Sequence, residues 1–118
     1  VSHFTQALRL EEHVMPSQMF AGHALDVTND GYLIEPKDWN PDIGEAIAKE
    51  LGVPLTPAAW KVIQFARTDF FAEGQTPGLR RITAQTAVPM KELYSLFPGG
   101  PGKLIAKIGG VPKPKSCL

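Results

Sequence analysis

The 118 residues are 43% apolar and 20% charged, proportions that exclude wholesale disorder and fit one small globular domain. The net charge is zero, yet residues 1–60 carry three Lys/Arg against nine Asp/Glu and residues 61–118 carry nine against three, so the second half suits an anionic partner. No window approaches the roughly 18 consecutive apolar residues of a membrane helix, and Val1-Ser2-His3-Phe4 lacks the basic start of a secretory leader, so a cytoplasmic protein with no membrane partner is expected.

Residues 1–19 show only weak helical periodicity (Phe4, Leu8, Val14) before Met15-Pro16, and are read as an N-terminal extension to a domain spanning 20–118. The alternation His23–Thr28, the turn Asn29-Asp30-Gly31 and the run Tyr32-Leu33-Ile34 predict a β-hairpin, ended by Pro36. Asn40 as cap, Pro41 at the first helical position and Ile43, Ala46, Ile47 and Leu51 at three- and four-residue intervals predict a helix stopping at Gly52. Thr56-Pro57 opens the strongest helix, closed by Gly74, whose Trp60, Ile63, Phe65, Ala66, Phe70 and Phe71 fill most of its circumference, as in a central buried helix. A further helix runs from Leu79 to about Thr86, and another from Pro89 through Phe97. Pro98-Gly99-Gly100-Pro101-Gly102 is a hard break before a short helix over Lys103–Ile108. From Gly110 the Pro/Lys-rich chain cannot continue it, and residues 110–118 are expected to form a mobile C-terminal arm. The fold class is therefore mainly α (α+β): a helical bundle with an N-terminal β-hairpin and a flexible arm.

Few residues offer chemistry. His3, His13 and His23 match no metal-ligand spacing, and the prolines of 98–102 stand where a phosphate loop needs N–H donors; neither metal nor cofactor is expected. The one cysteine, Cys117, excludes an internal disulfide. Cys117 lies eight positions beyond Gly109, a reach of roughly 25–28 Å when extended, enough to place a thiol inside another protein's cleft. Pro112 and Pro114 bias the arm toward extended conformations, and Lys113 and Lys115 favour the thiolate. A thiolate on an arm suits attack on a persulfide, with Cys117 becoming Cys-S-SH.

Asp30-Gly31-Tyr32-Leu33, Asp38-Trp39, Leu51, Leu55-Thr56, Trp60, Phe70-Phe71, Arg80-Arg81-Ile82, the run Lys91 to Pro98, Gly100-Pro101, Lys107-Ile108-Gly109-Gly110 and Pro112-Lys113-Pro114 before the penultimate Cys117 together resemble the TusE/DsrC family over residues 20–118. The resemblance implies a small cytoplasmic sulfur carrier, a sulfurtransferase-type relay without independent turnover. Cys117 would take persulfide sulfur from an upstream donor protein and pass it to a downstream acceptor, either a tRNA thiolase (TusE branch) or a sulfite reductase-type enzyme (DsrC branch). The DsrC branch uses a second cysteine eleven positions earlier; here that position is Ala106, so this chain resembles the single-cysteine members. Arg80, Arg81, Lys103 and Lys107 are candidates for the surface on which the arm docks.

An alternative lies in the same residues. Leu79–Thr86, the turn Ala87-Val88-Pro89 and Met90–Phe97 read as a helix-turn-helix, a DNA-binding regulator with Cys117 as a redox or sulfur sensor. Its second helix offers mainly Met90, Lys91, Glu92 and Ser95, poor equipment for reading bases. Any direct nucleic acid binding is expected to be weak.

Overall fold

The computed structural model describes residues 17–115. Most of residues 1–19, together with Ser116, Cys117 and Leu118, lie outside the described residues. Two strands, β1 (Ser17–Phe20) and β2 (His23–Asp26), pair antiparallel. Five helices follow: α1 (Pro41–Leu51), α2 (Pro57–Glu73), α3 (Leu79–Thr86), α4 (Met90–Leu96) and α5 (Pro101–Gly109). A single 3₁₀ turn, Pro36–Asp38, precedes α1. The mainly α architecture with a hairpin at its start is the one expected.

The hairpin pairs the expected segment His23–Asp26 with Ser17–Phe20 rather than with the run at Tyr32. Ala21 (φ 50°) and Gly22 (φ 84°) form a two-residue turn with both φ positive, which matches the twist of flanking strands. Ser17, Gln18 and Met19, the last residues of the segment read as an extension, therefore join Phe20 in the sheet. The predicted turn at Asn29-Asp30-Gly31 is also present: the Gly31 N–H donates to the Thr28 carbonyl (3.0 Å) and the Thr28 N–H to that of Tyr32 (2.7 Å). Its arms are cut to a single bridge, Val27 to Leu33, because Pro36 and its 3₁₀ turn end the extended run within three residues.

Helix limits follow local chemistry closely. Asn40 Oδ1 accepts from the Ile43 N–H (2.9 Å) and Thr56 Oγ1 from the Ala59 N–H (3.2 Å), each with proline at the first helical position, while Gly52 and Gly74 end α1 and α2 in the left-handed region. These caps satisfy donors and acceptors a helix end would otherwise leave unpaired. α5 begins two residues earlier than expected, since Pro101 after Gly100 starts a helix as readily as it breaks one.

The central helix differs from expectation in what it buries. Ala59, Val62, Ile63, Ala66 and Asp69 form its buried stripe, whereas Trp60, Phe65 and Phe70 are half-buried and Phe71 is 49% exposed. Small residues on the stripe let α5 approach closely: a Cβ on Gly109 would sit 3.5 Å from Ile63 Cγ2. Leu79, Ile82, Leu93, Phe97, Ile105 and Ile108 complete the core.

Candidate functional site: the anchored root of the C-terminal arm

The chain leaves α5 through a closed cap. Gly110, at φ 66°, donates to the Lys107 carbonyl (3.2 Å) and Val111 to that of Ala106 (3.0 Å), the paired bonds of a Schellman motif. Val111 is fully buried, with Tyr32, Ala106 and Phe70 around it.

Trp39 and Arg67 hold this exit in place. Trp39 Nε1–H donates to the Ile108 carbonyl at 2.8 Å. Arg67 Nη1 donates to the Gly109 carbonyl (2.9 Å) and Nη2 to that of Pro36 (3.1 Å). The guanidinium lies 4.2 Å from the Trp39 ring centroid and 5.3 Å from that of Phe71. A cation thus meets the negative end of α5 while stacked on aromatic faces. Burial lowers the Arg67 pKa from the ordinary arginine value, but arginine remains charged at neutral pH. The indole fills the space left by two glycines: a Cβ on Gly44 would come within 2.7 Å of Trp39 Cζ2, and one on Gly110 within 2.5 Å of Cδ1.

The arm's first residues follow the domain surface. Thr76 Oγ1–H donates to the Pro112 carbonyl at 2.6 Å, Pro114 is buried, and Lys113 Nζ stands 3.8 Å from Asp30 Oδ2. That ion pair joins two exposed side chains and contributes little to stability. Composition led to an arm leaving the domain from Gly110; Gly110 to Pro114 instead lie against it. The reason is tertiary: Val111 and Pro114 find apolar cover, and the Pro112 carbonyl finds a hydroxyl.

The basic residues singled out from sequence have different surroundings. Lys107 Nζ stands 5.4 Å from the Tyr32 ring centroid, and Lys107 and Lys113 both act on Asp30, whose pKa is lowered chiefly by the hydrogen bond from Thr28 and to a smaller extent by these lysines. Arg81 is committed to Asp69, with Nε and Nη2 each donating at 2.8 Å; that hydrogen bonding raises its pKa. Lys115 and Arg81 line a common cavity. Arg80 and Lys103 are exposed on α3 and α5. Sequence reasoning missed Arg67, Thr76 and Asp69. The four-residue spacing Ile63, Arg67, Phe71 on α2 was the available signal for Arg67, since it places the guanidinium on an apolar helix face.

Tyr32 is buried, and its hydroxyl has no hydrogen-bond partner among the described residues. Burial, with a smaller effect from Asp30, raises its pKa above 10.0. The unfolded chain therefore deprotonates first as pH rises, so stability is complete below pH 10 and falls as pH climbs toward the folded value. Tyr32→Phe is expected to remove that alkaline loss and to keep stability at pH 7 within about 1 kcal/mol of the parent, measured by urea denaturation at both pH values.

The segment read as helix-turn-helix folds as two helices, α3 and α4, joined through Ala87 (φ 63°). Its apolar residues Leu79, Ile82, Leu93 and Phe97 close the core. The exposed face of α4 carries Lys91, Glu92, Tyr94 and Ser95, a single cation beside an anion, and the Arg81 fork is occupied. Anisotropy titration is expected to give only sequence-independent binding in the roughly 10⁻⁴–10⁻⁶ M range at physiological salt, weakening steeply as salt rises.

Among the described residues no group of three His, Cys, Asp or Glu could hold a metal ion, and no described helix is long and apolar enough to cross a membrane. What remains is a small helical domain that anchors, by its own core residues, the root of a segment carrying one thiol. A family profile described as "DsrC like protein" matches residues 19–118. The sulfurtransferase TusE of Escherichia coli K12 is 36% identical over 108 residues, covering 85% of this chain and 98% of that one. The dissimilatory-type sulfite reductase subunit gamma of Nitratidesulfovibrio vulgaris is 33% identical over 105 residues, covering 88% and 100%. The crystal structure of the oxidized gamma subunit (DsrC) from Archaeoglobus fulgidus superposes with a TM-score of 0.77 at 31% identity, covering 87% of this chain and all of that one. The chain belongs to the DsrC-like family.

Proposed function

We propose that this protein is a sulfur carrier whose Cys117 relays persulfide sulfur between two partner proteins in the cytoplasm. The Cys117 thiolate attacks the outer sulfur of a donor Cys-S-SH; the S–S bond breaks, the donor cysteine leaves as a thiolate, and Cys117 becomes the persulfide. No electrons are gained or lost overall, so no redox cofactor is required. Attack by an acceptor's nucleophile on the outer sulfur of Cys117 repeats the step downstream. The observation that carries this reading is the similarity, over nearly the whole chain, to relatives named as a sulfurtransferase and as a sulfite reductase subunit.

The single-cysteine, TusE-type branch is favoured. The position eleven before Cys117 is Ala106, fully buried against Tyr32 and Val111, so these 118 residues offer Cys117 no internal disulfide partner. On this reading the acceptor is a tRNA thiolase. Deleting the gene is expected to remove 2-thiouridine from tRNA, with recovery by the parent sequence and none by Cys117→Ser. Unchanged 2-thiouridine together with impaired sulfur oxidation or sulfite reduction would move the protein to the DsrC-type pathway. Full recovery by Cys117→Ser would contradict the carrier role in either.

A further inference from the structure

A groove of about 670 Å³ runs between the last turns of α1 and the first turn of α2, lined among others by Glu45, Lys49, Val53, Pro54, Leu55 and Trp60. It lies apart from the contacts that hold the exit of α5. Leu55 and Trp60 are half-buried, so each keeps part of its apolar surface open, and Leu51, at the end of α1, is 39% exposed. An indole flanked by aliphatic side chains in a depression is what a partner's anchor side chain fills at the centre of an interface. The groove is nevertheless near the root of the arm. Gly44 packs on Trp39 at the exit of α5. Gly52, eight residues further along α1 and part of the groove wall, is about 12 Å from it at the helical rise per residue. A standard interface, about 800 Å² on each partner, spans both.

The surrounding charge selects the kind of partner. Residues 17–52 carry seven Asp/Glu against two lysines, all nine exposed. Asp42 and Glu45, three residues apart, share one side of α1, and neither belongs to an ion pair among the described residues. The negative end of α1 closes at Gly52 in the same wall. Lys49 opposes these charges from within the lining. The balance repels a phosphate backbone and attracts lysine and arginine.

We propose that this groove and the acidic side of α1 dock the downstream acceptor, with an apolar side chain of the acceptor against Trp60 and its lysines or arginines along Asp42 and Glu45. The acceptor's chemistry rests on the tRNA thiolase reading above: an enzyme that holds tRNA presents Lys and Arg to the phosphates, and such a surface complements an acidic carrier. Docking here puts the exit of α5 at the edge of the same interface. The thiol is then presented to an acceptor already held, and the groove chooses the protein.

Fluorine NMR on the full, unloaded chain labelled with fluorotryptophan tests the docking, because Trp39 and Trp60 are its two tryptophans and report the exit and the groove separately. The probe is the purified tRNA thiolase of the same organism. The Trp60 resonance is expected to shift or broaden to saturation, and Asp42→Asn combined with Glu45→Lys to weaken the fitted Kd by about tenfold or more. Glu92→Lys, an equal reversal exposed on α4, is expected to change it by less than about twofold. Saturation without a response at Trp60, equal Kd values for the parent and the double variant, equal weakening by Glu92→Lys, or a Trp60 response to tRNA alone overturns the docking. Sulfur transfer from the persulfide-loaded chain to the same enzyme is read in parallel. Transfer without a Trp60 response overturns the groove and leaves the carrier reading intact, whereas a Trp60 response without transfer counts against the carrier reading alone. Neither response nor transfer overturns the thiolase as acceptor, and the docking with it.

Discussion

Replacing Trp39 with alanine is expected to destabilise the fold by about 3 kcal/mol, at the lower end of the range for large aromatic deletions because the residue is only half-buried. Three losses coincide. The indole's volume between Gly44 and Gly110 is vacated, the Ile108 carbonyl loses its donor, and Arg67 loses the ring it stacks on. Trp39→Phe separates the contributions: it keeps a ring beside Arg67 and removes the Nε1 donor, so about 1 kcal/mol is expected. Urea denaturation with an unchanged m-value reads both. A Trp39→Ala loss below about 1 kcal/mol would mean that α5 and its exit are held by the remaining core without this contact.

Gly110→Ala carries the second large effect, from a single added methyl. The residue sits at φ 66°, where a side chain costs roughly 1–2 kcal/mol. The new Cβ would also stand 2.5 Å from Trp39 Cδ1 and 2.8 Å from Cγ, closer than packed atoms approach, so the indole or the chain exit must shift at a further cost of about 1–3 kcal/mol. A total loss of about 3 kcal/mol follows, by the same denaturation measurement. Since the Schellman bonds of Gly110 and Val111 set the direction in which the arm leaves, the same variant is expected to lower the rate at which a donor loads Cys117 at temperatures where the fold is intact. Gly52→Ala, also in the left-handed region but with open space around it, isolates the backbone cost and is expected to lose only the first contribution.

How much of this was legible in the sequence depends on how local each determinant is. The helix limits at Asn40-Pro41, Gly52, Thr56-Pro57 and Gly74 were legible because a cap is decided within four residues. The pairing of Ser17–Phe20 was not, since Ala21-Gly22 is a weak turn signal beside Asn29-Asp30-Gly31. The burial of Val111 and Pro114 was likewise hidden: proline and lysine dominate the arm's composition, while its placement is decided by Thr76, Tyr32 and Gly102, residues far away along the chain. Arg67 and Asp69 read as ordinary helix-surface charges until tertiary packing brings the Gly109 carbonyl to one and Arg81 to the other. The thiol was found from its address at the end of a Pro-Lys segment, and the family resemblance supplied its chemistry.

Whether Cys117 carries sulfur is read by intact mass after incubation with a persulfidated cysteine-desulfurase relay. The parent chain is expected to gain one sulfur atom, removable by a thiol reductant, and Cys117→Ser to gain none. Equal labelling of Cys117→Ser, or none on the parent from a donor that loads another carrier in the same experiment, would contradict the carrier role.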